Sequence, residues 1–433
     1  MKRLFNQSLL TSSLILAAGA ANAAAFQLQE VTTSGLGRAY AGEAAIADNA
    51  GVVAVNPALM TQFKRPEVSF GGVWVNPGVD IEGTFSVPAA NNMTVDAGHS
   101  DAITSKLIPN GYWVYPINDK FAIGGGANVN YGLATDYDAN YSAGMMGGTT
   151  DLTTINLNLS GAYRLNEHWS FGLGLNAVYA KAELSRRAGI LATIANKMLQ
   201  THLKTSDYLT NLEGDDWGFG WNAGVTYELN PNHRWGLAFH SKTKIKFDGT
   251  LYNDLPGERH LNKTGGSVDL NLPDYWEFSG LHKITDNWAV HYSYKLTKWS
   301  RVQRLQAYLD NGTQAFNKTE HFGDTSRFAI GTTYDVDDKL TLRAGIAHDE
   351  GAAGRKSSIS IPDTNRMWYS VGATYNFTPD LSVDVAYTYV RGKTRTFTEV
   401  ESLPLNGKAI TVEGNYKARS QVNLYGLNVN YRF

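Results

Sequence analysis

The segment Ser34–Met60, SGLGRAYAGEAAIADNAGVVAVNPALM, is where this chain comes nearest to a chemical motif. Gly35-x-Gly37 followed by Gly42 has the glycine density of a loop that wraps phosphate, since backbone N–H groups approach an anion best where no Cβ intervenes. A dinucleotide fingerprint also needs a preceding strand, a following helix and an acidic residue about twenty positions on. Here position 40 is Tyr where the third glycine should stand, and no βαβ pattern follows. Other chemistries fare no better. The 10 His and the scattered acids never take H-E-x-x-H spacing, and no G-x-S-x-G elbow occurs. Asp215-Asp216, Asp337-Asp338 and Asp349-Glu350 adjoin turns or loops, where solvated charge is the default. There is no Cys, which excludes thiolate metal sites and disulfide staples. The expectation is a non-enzyme without metal or cofactor.

Composition points elsewhere. Charged residues are 18% of the 433, while aromatics reach 12%, with 23 Tyr and 10 Trp. A net charge of −2 offers no basic field for nucleic acid. The N-terminus carries Lys2 and Arg3, then the apolar run LLTSSLILAAGA, then the small-x-small site Ala21-Asn22-Ala23. This predicts a signal peptide over 1–23 and a mature start at Ala24, so the protein leaves the cytoplasm. Mean hydropathy is −0.28, and no later run approaches the ~20 apolar residues of a spanning helix. A membrane protein of this sequence must be a β-barrel.

Periodicity supports that class. In WGFGWNAGVTYEL, Trp217, Phe219, Trp221, Ala223, Val225, Tyr227 and Leu229 alternate with Gly, Asn, Thr and Glu. Successive strand side chains face opposite ways, so one face is apolar and the other small or polar. INLNLSGAYRL, WSFGLGLNAVY, LSVDVAYTYV and LYGLNVNYRF repeat the rhythm. Trp169, Trp217, Trp235, Tyr387 and Tyr389 mark strand ends as interfacial girdles would. The chain closes on Tyr431-Arg432-Phe433, which resembles the assembly signal of outer-membrane proteins and names the barrel-assembly machinery as a partner through Phe433. Short turns (166–168, 230–233, 285–287, 378–380) alternate with long polar excursions near 186–215, 247–268, 301–325, 349–365 and 392–418. The short turns belong to the periplasmic rim and the long loops to the outside. In the first long loop, AGILATIANKMLQTHL spaces Leu191, Ile194 and Met198 along one helix face. Two readings stand: a helix packed on the barrel mouth, or an outward apolar groove that captures ligand.

Residues 24–65 lack alternation before the first clear strand, EVSFGGVWV. Their small residues pack closely, and Pro57 restricts Asn56 to an extended or turn conformation, which suits a plug inside the barrel. The fold expected is all-β: a transmembrane antiparallel barrel over 66–433, plugged by an N-terminal hatch over 24–65.

AAFQLQE, SGLGRAYAGEAAIADNAG, NPAL, NYGLATDY, GGTTDLTTINLNLSGAYRL, WSFGLGLNAVYAKAEL, WGFGWNAGVTYEL and SISIPDTNR closely resemble the FadL family of outer-membrane long-chain fatty acid transporters. The resemblance runs from Ala24 to Phe433 and weakens mainly in the long loops. It implies a monomeric barrel of about 14 strands with a hatch, moving a long-chain fatty acid or similar hydrophobic ligand between the medium and outer-membrane lipid. It also implies ligand-carboxylate contacts at Arg186, with Arg187 the alternative, and at Lys318. ANVNYGLATDY matches the strand the family kinks inward to open its wall, centred on Asn130, Tyr131 and Gly132. On this expectation Asn56-Pro57-Ala58 cover that gap, and the hatch start near Phe26 moves to release ligand sideways. The expected activity is passive uptake, with uncharged hydrocarbons or an adhesin role of the loops as alternatives.

Overall fold

The structure, a computed structural model, describes residues 27–254, 264–301, 304–310, 314–319, 322–352, 357–360, 363–405 and 408–433. The proposed signal peptide and Phe26 lie outside them. Alternating apolar and small residues yield long strands, and 14 of these close into one antiparallel barrel. They are β1 (Glu67–Val87), β2 (Lys106–Pro116), β3 (Phe121–Asn128, resuming at Gly132–Thr135), β4 (Thr150–Arg164), β5 (Trp169–Arg187), β6 (Tyr208–Asn230) and β7 (His233–His240). The second half comprises β8 (Tyr275–Thr285), β9 (Trp288–Thr297), β10 (Thr325–Asp335), β11 (Leu340–Asp349), β12 (Arg366–Asn376), β13 (Leu381–Gly392) and β14 (Lys408–Arg432). Each pairs with its neighbour in sequence, and β14 returns to β1 with Arg432 opposite Glu67.

The barrel is inside-out relative to a soluble protein. Phe219 is 74% exposed, Leu175 65% and Ile330 64%, all on the outer face. Asn156, Asn158 and Asn222 are buried on the lumen side, where Asn158 Nδ2 donates to Asn176 Oδ1 at 2.9 Å and to Asn222 Oδ1 at 3.0 Å. An apolar belt outside and a hydrogen-bonded polar lumen inside is what lipid demands. Trp169, Tyr227 and Trp235 form a ring stack near the short-turn end, with Tyr179 against Trp217 higher up β5 and β6. β6 runs 23 residues, roughly 75 Å of extended chain, whereas about 10 tilted residues cross a bilayer core. The long strands therefore project well beyond the membrane on the long-loop side. There the excursions expected as loops are largely β-structure. Thr243–Tyr252 pairs with Thr264–Leu272, Arg304–Leu309 with Gln314–Thr319, and Arg395–Leu405 with upper β14.

The hatch fills the lumen from Gln27 to Phe63. Its three short helical pieces start at side-chain caps: Thr32 before Thr33–Leu36, Asn49 before Ala50–Ala54, and Asn56 before Pro57–Gln62. Each cap satisfies a backbone N–H that would otherwise be orphaned in the interior. Close fit needs missing side chains on the wall as well as in the hatch. A Cβ on Gly236 would stand 1.7 Å from Ala44 O, and one on Gly172 2.3 Å from Ala58 N. Charge then fixes the plug. Arg38 pairs with Glu43 at 2.6 Å and with Asp48, and Asp48 also meets Arg343 of β11 at 3.5 Å.

Candidate functional site

The ladder is broken in β3. β3 stops at Asn128 and resumes at Gly132, and its pairing with β2 ends at Gly111 opposite Ala127. Lys106–Asn110 of β2 then pair with β1 alone, and Pro109 among them has no N–H to offer. Above the break the wall closes again, where Thr104 N–H donates to Ala134 O at 3.1 Å and Asp136 N–H to Ala102 O at 2.9 Å. The freed backbone is satisfied from inside. Asn130 O accepts Leu28 N–H at 2.9 Å, and Gln27 bridges Tyr131. Thr154 Oγ1 accepts Tyr131 N–H at 3.2 Å and donates to Tyr131 O at 2.7 Å. An interrupted ladder facing lipid is tolerable only with such substitutes.

The stopper of this gap is the start of the hatch, not the segment expected from sequence. Asn56-Pro57-Ala58 lie against β5 and β6, where Asn56 Nδ2 donates to Ala44 O at 2.7 Å and Val225 O at 3.3 Å. A Cβ on Gly224 would stand 1.8 Å from Asn56 Oδ1. Their chemistry is that of a cap wedged between glycines, away from Asn130. Gly132, by contrast, faces Leu28, whose Cδ1 lies 3.1 Å from the ideal Cβ position.

Arg186, at the outer end of β5, is 1% exposed. The pairing with β6 shifts register between Arg186 and Arg187, where Leu209 is left unpaired, and the two side chains take different partners. Arg187 stacks 4.2 Å above the Tyr208 ring and donates to Ser206 O at 2.8 Å, so it braces its own loop. Arg186 donates to Ser185 O at 2.5 Å, Thr149 O at 3.3 Å and Ser360 Oγ at 2.8 Å. No carboxylate of the described residues lies in ion-pair range of Arg186. Burial pushes its pKa down to about 10, partly offset by the Glu399 carboxylate. Glu399 receives Ser358 Oγ–H at 2.7 Å and Ile359 N–H at 3.2 Å, and burial raises its pKa to about 7. Both groups stand on strand extensions beyond the membrane, with Ser358–Ser360 between them. Lys318 has its backbone on Gln314–Thr319, opposite Leu305, and its side chain is outside the described residues.

The loop helix Ile190–Leu199 packs on the mouth. Ile194 is 6% exposed in a cluster with Tyr137, Tyr141, Met145 and Ile359, and Leu191 packs against its rim. Of the two readings of this helix, the packing of Leu191 and Ile194 matches a helix seated on the barrel mouth. Met198's side chain is outside the described residues. Glu399 went unnoticed in the sequence because its carboxylate meets Ser358 only through tertiary folding. Lys295 and Arg327 went unnoticed too, although each is a charge on the lumen face of a mostly uncharged strand.

An aromatic-belted barrel, plugged from within and broken where the plug meets its wall, is the architecture of an outer-membrane transport channel. The family profile "Outer membrane protein transport protein (OMPP1/FadL/TodX)" matches residues 14–433, and the chain belongs to this family. It is 48% identical to outer membrane protein P1 of Haemophilus influenzae over 99% of both chains. It is 44% identical to a long-chain fatty acid transport protein of Escherichia coli, covering 100% of this chain and 99% of that one. A solved FadL homologue of Pseudomonas aeruginosa superimposes with a TM-score of 0.81 over 94% of this chain and 99% of that one, at 22% identity. The protein resides in the outer membrane, and its family is one of transport channels.

Proposed function

We propose that this protein takes up long-chain fatty acids passively, capturing them at the outer pocket and releasing them sideways through the gap beside Asn130. The observation that carries this reading is the gap itself, met by Gln27 and Leu28 of the hatch instead of a neighbouring strand. The names of relatives that transport long-chain fatty acids support the substrate class. Arg186 would hold the carboxylate, with Lys318 beside it, since a carboxylate leaving water needs a charge partner. A long tail contributes on the order of 10 kcal/mol at about 0.8 kcal/mol per methylene, so release needs a second state. Displacement of the hatch start, from Phe26 through Leu28, supplies it. The mature monomer would begin at Ala24, once residues 1–23 are cleaved, and Phe433 would be read by the assembly machinery. Concentration and downstream consumption set direction. The test is oleate and toluene uptake by cells expressing wild type, Arg186→Gln/Lys318→Gln, or variants that straighten the strand at Gly132. Straightening is expected to abolish oleate uptake with surface binding intact. Toluene uptake without oleate uptake would move the substrate to uncharged hydrocarbons.

A further inference from the structure

Between the hatch start and the wall lies a narrow, partly open cleft. Its lining includes Gln27, Leu28, Tyr40, Lys295, Arg327 and Asn130, so it touches the gap. It is also crossed by a row of lumen-facing charges. Glu277 is directly opposite Lys295, Lys295 opposite Arg327, Arg327 opposite Asp349, and Asp349 opposite Arg366. Lys295 pairs with Glu277 at 3.4 Å, and Arg366 takes Asp349 at 2.8 Å. Arg327 is left over. It is 5% exposed, its Nη2 donates to Ala39 O at 3.0 Å, and no carboxylate of the described residues is within ion-pair range. Of the carboxylates in this region, Glu43 and Glu277 line the cleft and pair with Arg38 and Lys295, while Glu30 accepts Gln29 N–H at 2.8 Å.

Unused donors converge here. Arg327 Nε–H and Tyr40 Oη–H, on residues 5% and 3% exposed, find no hydrogen-bond partner among the described residues. Trp368 Nε1–H is likewise unpartnered, and the guanidinium lies 5.0 Å from its ring and 5.9 Å from that of Tyr40. Ala39 and Tyr40 hold φ of 52° and 55°, a left-handed pair that presents the Ala39 carbonyl and the Tyr40 ring together to Arg327. Two cations directly opposed across a ladder repel each other, and the Asp349 carboxylate opposite Arg327 is shared with Arg366. An anion bridging Lys295 and Arg327 relieves that repulsion.

We infer that Arg327, Lys295 and Tyr40 form a second carboxylate site, a station for the amphiphile's headgroup between the Arg186 pocket and the wall gap. This rests on the fatty acid reading for its natural occupant, while the site's chemistry is that of any carboxylate. The station is coupled to the gate. Lys295 Nζ donates to Gln29 Oε1 at 2.7 Å, and Thr297 Oγ1 to Gln27 Oε1 at 3.0 Å. A carboxylate that recruits Lys295 competes with Gln29 and loosens the strand that stoppers the gap. The headgroup thereby opens its own exit.

The experiment uses the full chain in nonionic detergent and in cells. Crystals soaked with 2-bromooctanoate, whose bromine adjoins the carboxylate, should show an anomalous peak beside Arg327 in wild type and in Arg186→Gln. Arg327→Gln should lose it. In cells, Arg327→Gln is expected to slow oleate uptake by about 10-fold or more, the worth of one charged hydrogen-bonded contact. Uptake of oleyl alcohol should stay within about twofold. Arg327→Lys should recover most of the rate, and heat-modified gel mobility reports that each barrel is folded. No bromine peak beside Arg327 in wild type would overturn the site. So would equal slowing of oleate and oleyl alcohol, which marks a structural role, or an identical, non-additive effect of Glu30→Gln, which makes Glu30 the anion served. If wild type takes up no oleate, the fatty acid reading fails, and the bromine peak still decides the site.

Discussion

Replacing Arg186 by Gln tests the proposed contact between this residue and a ligand carboxylate. The guanidinium is buried among neutral acceptors, Ser185 O, Thr149 O and Ser360 Oγ, and its pKa falls from 12.5 to about 10. That lowering corresponds to roughly 3 kcal/mol of charge solvation the protein does not return. A ligand carboxylate can supply part of it, and a hydrogen bond to a charged partner contributes about 1.5–3 kcal/mol. Arg186→Gln should therefore weaken oleate binding by about 2–3 kcal/mol, or roughly 30- to 150-fold. Oleyl alcohol, with the same tail, should change by less than about threefold. The assay is displacement of a fluorescent fatty acid from the full-length protein in nonionic detergent. The wild-type oleate affinity should hold from neutral pH upward and fall as pH passes about 10, where the cation is lost. Equal losses for acid and alcohol would refute the charge argument, since only packing would then have changed.

Glu399 predicts a pH response of the outer loops. Its folded pKa is raised from 4.5 to about 7, so its contribution is fully present below the unfolded value and is lost as pH rises through about 7. Protection of the Ser358–Ser360 amides, corrected for the intrinsic pH dependence of exchange, should fall between pH 6 and 8, and Glu399→Gln should make it flat; a slope that survives the substitution would clear Glu399 of the effect. Gly236→Val should unseat the hatch, because even a Cβ there would stand 1.7 Å from Ala44 O. Planar-bilayer conductance should rise in that variant, and an unchanged closed barrel would mean that the wall yields instead. Asp48→Asn removes the carboxylate shared by Arg38 and Arg343 and should cost about 3–5 kcal/mol of barrel stability, read as an earlier urea midpoint.

The barrel was largely legible because lipid enforces a strict two-residue alternation, and strands such as Trp169–Arg187 show it residue by residue. Strand ends were less so. The strand read as EVSFGGVWV continues to Val87, because above the membrane neither face needs to be apolar and the alternation lapses. The hatch was visible as a loss of rhythm, but its contacts were not. Asn56-Pro57-Ala58 carries a clear local signal, an N-cap followed by Pro at N1, which says how the turn starts and nothing about which wall it meets. Gln27 and Leu28, which do meet the gap, have no local signature at all. Their role comes from the backbone groups that β3 leaves open, a property of the partner strand.

The distribution of contacts within the hatch determines which part of it can move. Gln27–Gln29 are held by Leu28 N–H on Asn130 O, the Gln27–Tyr131 bridge, and side-chain bonds from Lys295 and Thr297. At about 1 kcal/mol net each, these amount to a few kcal/mol, within reach of the ~10 kcal/mol a long tail offers. The hatch body is held otherwise, by Arg38–Asp48–Arg343, by Asn49 on Asp384, and by close backbone contact at Gly172 and Gly236. Breaking one buried ion pair there already costs about 3–5 kcal/mol. Expulsion of the whole plug is therefore out of a ligand's range, and local displacement of the chain start is not. Because the chain has no Cys, engineered pairs separate the two motions cleanly. Leu28→Cys with Gly132→Cys ties the start to the resumed strand, where Leu28 Cδ1 already lies 3.1 Å from the ideal Cβ of Gly132. Thr33→Cys with Gly426→Cys ties the hatch body to β14, where Thr33 Cγ2 lies 2.9 Å from the ideal Cβ of Gly426. Oxidation should stop oleate uptake in the first pair, with recovery on reduction, and leave the second near wild type. Arrest by the body cross-link alone would show that the plug moves as one piece and that the balance of contacts drawn here is wrong.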